Sequence, residues 1–363
     1  MIRVLQCVNN MHREGLETML MNYYRNIDRT QIQFDFLTHR PDRSHYDDEI
    51  ESMGGRVFYA PRLYPQNYPA YFSYMKTFFA EHPEYKIVHS HIDAMSYMPL
   101  LAAKKSGVPV RIAHSHNTRI GKDLKYPLKC FFRSRLPNVA THHFACGNEA
   151  GKFLFGNCDF TVIPNAVDVS KFVFNSESRN TKRKELGLEN KFVIGNVARF
   201  SREKNHKFLI DLLPGLLSKD NSVALLLVGE GDEFDKIKKL TEQYGLKDKV
   251  HFLGNRSDVN ELYQAMDVFV LPSFFEGIPL VGVEAQFSGL PCIFSDNVPK
   301  EVGISEFSKF VPLKDDLWIK EILNAKNSKR ENNIINNIVY DIKHTSNNLE
   351  EEYKRLYFGV KGN

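Results

Sequence analysis

Cysteine is scarce, tryptophan occurs once, and no apolar run approaches bilayer length in these 363 residues. The five cysteines, Cys7, Cys130, Cys146, Cys158 and Cys292, are odd in number, scattered, and form no Cys-x-x-Cys pair. That pattern argues against a disulfide framework and for reduced thiols in a cytoplasmic chain. A membrane helix needs about 20 consecutive apolar residues, and no such stretch is present. The first apolar run is too short for a secretory core and no small-residue cleavage site follows it. Charge of one sign is lacking too: 48 basic against 44 acidic residues leave a net +4, far from a dedicated nucleic-acid binder. What remains is a mixed composition and a length that suits two globular domains.

Short runs rich in Val, Ile and Phe alternate with helix-period segments. Arg3 to Val8, Phe34 to Thr38, Val57 to Ala60, Ile87 to His91 and Val110 to His114 read as strands. Helices fall between them at Glu17 to Asn26, Tyr46 to Met53, Ala70 to Glu81 and Met95 to Lys105. The alternation resumes at Phe192 to Val197, Ala224 to Val228, Val250 to Leu253, Val268 to Leu271 and Cys292 to Phe294. This rhythm predicts an α/β protein of two doubly wound, Rossmann-like domains. The polar segment Asn175 to Lys191 has few apolar anchors and reads as the hinge region, with a first domain over 1–170 and a second over 171–344. Leu349, Tyr353, Leu356 and Tyr357 share helical spacing, so a final helix over about 345–363 is expected to pack back on the first domain.

Ligands of open α/β sheets gather beyond the carboxyl ends of the strands. The clearest such place is Val268 to Leu271, followed by a turn through Glu276, Gly277, Ile278 and Pro279 and a helix from Leu280 to Ser288. A helix N-terminus there offers backbone N–H groups and a positive dipole end to a phosphate, and Gly277 lets a ligand approach the backbone. Glu276 lies at the mouth of that helix and Glu284 two turns inside it. Two carboxylate acceptors so placed can span a nucleotide sugar. Two glutamates eight apart also arise by chance, but the helix around Glu284 is apolar nearly all round, and a carboxylate there needs a partner.

With these residues in view, the stretch FEGIPLVGVEAQ resembles the paired-glutamate signature of family 4 of the retaining glycosyltransferases. The resemblance spans nearly the full chain, most closely from Ile163 to Asp296, and implies the GT-B fold, two such domains facing a central cleft. It implies that Arg199 and Lys204 bind the donor diphosphate, two cations matched to its negative charges. Val228 to Gly231, with Gly229 and Gly231, and the segment with Asn255 and Arg256 are similar to the parts that line the nucleotide base. Asn9 to Thr18 resembles the family's glycine-rich loop that closes on the phosphates, with Gly15 kept and Glu14 where a glycine is usual. A carboxylate facing a diphosphate would repel it.

The first domain carries two His-Ser-His triplets, His89 to His91 and His114 to His116, at the ends of consecutive strands, where alternate residues share one face. No cysteine or carboxylate is placed in sequence to complete a metal site, and no Asp-x-Asp pair occurs, so neither metal nor cofactor is expected. The resemblance implies that His114 or His116 contacts the transferred sugar or the acceptor. Between Arg119 and Arg135, six cations face one acid, Asp123, with Tyr126, Leu128, Phe131, Phe132 and Leu136 interleaved. Such a helix suits an anionic membrane surface holding lipid-linked acceptors, and equally an ordinary helix with a core face and a solvated face.

The implied activity is transfer of a hexosyl or N-acetylhexosaminyl unit, with configuration retained, from a nucleotide sugar, UDP-linked for the family, to a saccharide hydroxyl. The acceptor would be lipid-linked, in capsule or exopolysaccharide synthesis, on the inner face of the plasma membrane. The competing readings are a GT-B epimerase or phosphorylase, which lack an identifiable acid and base pair or cofactor lysine here, and a non-catalytic partner subunit, suggested by Glu14.

Overall fold

The computed structural model describes residues 1–120, 125–328, 330, 335 and 338–359. The chain divides into two compact units, Met1–Ala166 with Ile338–Asn363, and Val167–Asn337.

The first unit is built on strands β1 (Ile2–Val8), β2 (Ile32–Thr38), β3 (Val57–Tyr59), β4 (Ile87–Ser90), β5 (Val110–Ser115), β6 (His142–Ala145) and β7 (Thr161–Val162). They form one seven-stranded sheet in the order β3-β2-β1-β4-β5-β6-β7, with every pairing parallel. Helices α1 (Gly15–Asn26), α2 (Asp47–Ser52), α3 (Tyr68–Glu81), α4 (Tyr97–Lys105), α5 (Tyr126–Arg135) and α6 (Asn148–Phe155) lie between the strands in sequence. The central strands read as nearly unbroken apolar runs because helices cover both faces. Tyr71, Met75, Val88, Leu100, Ala113 and Leu136 are among the buried side chains of the core on one face.

The second unit repeats the plan. Strands β8 (Phe192–Val197), β9 (Val223–Val228), β10 (Val250–Phe252), β11 (Val268–Leu271), β12 (Cys292–Ser295) and β13 (Ser308–Val311) form a parallel six-stranded sheet ordered β10-β9-β8-β11-β12-β13. Its helices are α7 (Ser176–Glu185), α8 (His206–Leu217), α9 (Phe234–Gln243), α10 (Val259–Ala265), α11 (Leu280–Phe287) and α12 (Asp315–Ala325). A core of Ile194, Leu209, Leu213, Leu225, Val270 and Trp318 holds one face of this sheet. The chain then returns to the first unit as α13 (Ile342–Gly359), which packs on α1 and buries Leu349, Tyr353 and Leu356. Residues 360–363 of the expected final helix lie outside the described residues.

One expectation fails. The segment Asn175 to Lys191 is not a hinge but mostly α7, whose N-cap Asn175 accepts from the Ser178 backbone N–H at 2.8 Å. Two of its cations, Lys182 and Arg183, are buried. The Lys182 ammonium bonds Asp258 at 3.0 Å and Glu261 at 2.8 Å on and beside α10, and the Arg183 guanidinium pairs with Asp267 at 3.1 Å. A helix can be docked by paired charge as well as by apolar surface, and low hydrophobicity conceals it.

Candidate active site

In each sheet the strand order reverses once, between β1 and β4 and between β8 and β11. Such switch points open a crevice at the strands' carboxyl ends. In the second unit the loops leaving β8 and β11 are laced together there. The Phe274 N–H donates to the Glu203 carbonyl at 2.8 Å, and the Asn205 amide donates to the Pro272 carbonyl at 3.2 Å. Asn205 itself adopts the left-handed conformation, φ +57°, which asparagine tolerates and which ends the short 3-10 turn Arg202–Lys204.

This lacing brings Lys204 onto Glu276. The ammonium donates to both carboxylate oxygens, at 2.6 and 2.8 Å, and the Ser273 hydroxyl donates to Oε1 at 2.7 Å. Glu276 is buried and fixed from two sides, while Lys204 is about one-fifth exposed. An ammonium has three donors, so one remains for another ligand. Arg199 lies exposed on the same β8–α8 connection. Pro279 occupies the N-cap of α11 rather than a position within the helix. The first intrahelical bonds come from Gly282 and Val283 to its carbonyl, which leaves the Leu280 and Val281 N–H groups in the first turn, beside Gly277 and Ile278.

Glu284 sits two turns on, apart from this pair. It is buried beside α10, and the Tyr263 hydroxyl donates to its Oε2 at 2.9 Å. Burial raises the carboxyl to about 7, against which the tyrosine hydrogen bond works. Gln286, absent from the expected site, locks this helix in place. Its amide donates to the Gly282 and Val302 carbonyls, and its oxygen accepts from the Ile304 and Ser305 N–H groups and the Ser308 hydroxyl. A glutamine inside an otherwise apolar helix was the available signal.

Gly229 and Gly231 follow β9 with φ of +134° and +151°. A Cβ at these positions would stand 2.1 Å from the Ala198 carbonyl oxygen and 2.4 Å from that of Phe200. Both glycines therefore let the β8 and β9 loops touch. The Gly229 N–H also donates to the Gly254 carbonyl at 2.8 Å, which draws in the loop carrying Asn255 and Arg256. The Asn255 N–H meets Glu230 at 3.5 Å, and the Arg256 guanidinium is engaged on both oxygens of Asp258 at 2.7 Å.

In the first unit Gly15 opens α1, with no atom near enough to hinder a Cβ, and Glu14 is its exposed N-cap residue. The histidines gather as their alternation requires. His89 Nε2 lies 3.1 Å from His114 Nδ1, and His91 Nδ1 lies 3.0 Å from His116 Nε2. His114 is buried, whereas His116, just past β5, is only partly covered. Burial first, and neighbouring imidazoles second, push His89, His91 and His114 well below the ordinary histidine range, and burial lowers His116 to about 3. His89, His91 and His114 are the described residues able to hold a metal, with ligand atoms within 4.8 Å of one another. The basic segment is described only in part, since Lys122, Asp123 and Leu124 lie outside the described residues. On α5, Phe132 is buried and stacks on Tyr97, while Phe131 is 52% and Tyr126 39% exposed. Among the described residues, no helix is long and apolar enough to cross a membrane.

Both halves of the chain match family models: residues 13–171 that of Glycosyltransferase Family 4, and residues 178–336 that of Glycosyl transferases group 1. The chain is 40% identical over 337 residues to the EpsF protein of Bacillus subtilis, covering 89% of this chain and 87% of that one. It is 30% identical over 262 residues to an Escherichia coli UDP-Gal:alpha-D-GlcNAc-diphosphoundecaprenol alpha-1,3-galactosyltransferase, covering 68% and 67%. Among solved structures, Anabaena Alr3699/HepE in complex with UDP and glucose superposes with a TM-score of 0.81 at 18% identity, over 98% of this chain and 100% of that one. The fold is therefore GT-B, and the chain belongs to the family 4 glycosyltransferases, enzymes of the retaining class.

Proposed function

We propose that this glycosyltransferase moves a hexosyl or N-acetylhexosaminyl unit from a UDP-sugar to a hydroxyl of a lipid-linked saccharide during capsule or exopolysaccharide synthesis. The observation that carries the reading is the Lys204–Glu276 pair at the mouth of α11, with Glu284 buried two turns inside. The names of the relatives support the donor and acceptor classes: the Escherichia coli relative is a UDP-galactose transferase acting on a diphosphoundecaprenol-linked sugar, and a Staphylococcus aureus relative is a capsular polysaccharide biosynthesis glycosyltransferase.

In this reading the second unit, about 171–344, holds the donor and the first, with the returning C-terminal helix, serves the acceptor side. The carboxylate of Glu284 accepts from the ribose hydroxyls, and Glu276 accepts from hydroxyls of the sugar. The remaining Lys204 donor, Arg199, the Gly277 N–H and the first-turn N–H groups of Leu280 and Val281 stabilise charge that builds on the departing diphosphate. Gly229, Gly231, Asn255 and Arg256 shape the base pocket, and Gly15 lets the α1 N-terminus approach phosphate. Glu14 is exposed at the α1 N-cap.

The leaving diphosphate oxygen takes the proton of the attacking hydroxyl, which adds to the anomeric carbon on the face that the diphosphate leaves. No metal is required in this scheme, because the protein's own cations and helix dipole answer the charge. His116 contacts the sugar or acceptor. The exposed aromatics and cations of α5 meet an anionic membrane surface, peripherally, at the cytoplasmic face. Thermal shift across a panel of nucleotide sugars, followed by hydrolysis assays on those that bind, tests the donor assignment. Stabilisation by purine sugars alone would reject uridine as the base.

A further inference from the structure

The four histidines are not an isolated cluster. They belong to a hydrogen-bond chain that runs through Gln6 on β1 and Tyr353 on the returning helix α13. The His91 Nε2 lies 2.8 Å from the Gln6 carboxamide oxygen, and the Gln6 nitrogen donates to the Tyr353 hydroxyl at 3.2 Å. Tyr353 in turn lies 2.7 Å from His89 Nδ1. All six residues lie in the first unit, and all but His116 are buried.

The carboxamide gives this chain a direction. Its oxygen can only accept, so the His91 proton resides on Nε2 and His91 Nδ1 is bare. The His91 Nδ1 then accepts from His116 Nε2–H, which leaves His116 Nδ1 bare as well. On the other side, the Tyr353 hydroxyl accepts from Gln6, so its own hydrogen goes to His89 Nδ1. His89 then donates from Nε2 to His114 Nδ1, and the His114 proton resides on Nε2, a buried atom with no protein partner. Every imidazole is neutral in this scheme. An ion shared by His89 and His114 would need both facing nitrogens bare, whereas the chain places a proton between them.

We propose that Gln6 and Tyr353 are positioning residues that fix the tautomer of His116, so that its Nδ1 meets a sugar or acceptor hydroxyl as a hydrogen-bond acceptor. This rests on the reading that His116 faces the reacting sugar. Fixing a tautomer matters because the wrong one presents a donor where a donor already points. It also explains why a polar chain is carried in the middle of a buried sheet, where each unmade bond is costly.

The test is two-bond 1H–15N correlation NMR on the full-length protein with labelled histidine, alongside transfer kinetics. The expected spectrum shows His116 protonated on Nε2 alone. Gln6→Met is expected to give a tautomer mixture and to lower kcat about 10-fold, with donor KM changed less than about 2-fold. Tyr353→Phe keeps its ring packing and guards against misfolding. It is expected to loosen the same tautomer with a smaller loss. A His116 proton on Nδ1, an unchanged spectrum and rate in Gln6→Met, or a stoichiometric divalent metal on the purified protein would each overturn the proposal. Full activity of His116→Ala would instead remove the reading beneath it, and the spectrum of the unmodified protein tells the two failures apart.

Discussion

The Lys204 ammonium rests on both carboxylate oxygens of Glu276, at 2.6 and 2.8 Å, and so ties the loop after β8 to the loop after β11. In the proposed donor site each group holds the other in place for a different part of one ligand. Lys204→Met should lower kcat about 100- to 1,000-fold, the scale for removing one preorganised charge. It should also cost about 1–2 kcal/mol of stability, because a mostly buried carboxylate loses its ammonium partner and Lys204 is partly solvated. Glu276→Gln in the same background should recover the stability and not the rate. Chemical denaturation and steady-state transfer of the single and double variants check this, and additive effects would contradict it.

If Glu284 holds the ribose as proposed, donor binding should depend on pH. Its folded-state carboxyl is raised to about 7 from 4.5 by burial. The ribose hydroxyls need the ionised form, so donor affinity should fall as pH drops below 7, and binding at pH 7 should release a proton. The effect on folding has the opposite sense. The folded state holds the proton longer than the unfolded state, so this contribution is greatest below pH 4.5 and is lost as pH rises to 7, a change on the order of 3 kcal/mol. Glu284→Gln should be more stable than the parent at pH 8 and bind UDP-sugar without proton release. Calorimetry in buffers of different ionisation enthalpy measures it.

Gly231→Ala should damage the site without touching any charge. Its Cβ would lie 2.4 Å from the Phe200 carbonyl oxygen, at a φ of +151° that side chains rarely adopt. The β8 and β9 loops must then part, at a cost of about 2–4 kcal/mol. A melting temperature within a degree of the parent would show that the loops do not need their contact.

Binding to anionic vesicles should depend on α5. Phe131→Ser together with Arg133→Glu and Arg135→Glu should abolish co-sedimentation with vesicles rich in anionic lipid, and leave transfer to a water-soluble acceptor within about 2-fold. Raised salt should weaken binding of the parent protein in the same assay.

The strands were legible because both sheets are covered on both faces, so β1, β8, β9 and β11 stand out as apolar runs. Two kinds of element escaped. Strand β6 begins with His142 and His143 and β13 is SKFV, too polar to register. Helix α7 read as a hinge because its docking is ionic. At the candidate site, Glu276 and Glu284 could be picked out from the turn and apolar helix after β11, and Lys204 from the family resemblance. Ser273 and Tyr263 could not, since their value lies in the carboxylates that the fold sets against them, 3 and 21 residues away. The two histidine triplets were legible as a cluster. Their order was not, because Gln6 and Tyr353 are 347 positions apart.

That separation bears on how the molecule is made. The second unit is inserted between β7 and α13, so a ribosome finishes its whole sheet before the helix that seals the first unit exists. Until then Gln6 and His89 lack Tyr353, and the α1 face that meets α13 is bare to solvent. The half that begins first is completed last, and nascent chains should pass through a stage in which the later half is protease-resistant and the earlier one is not.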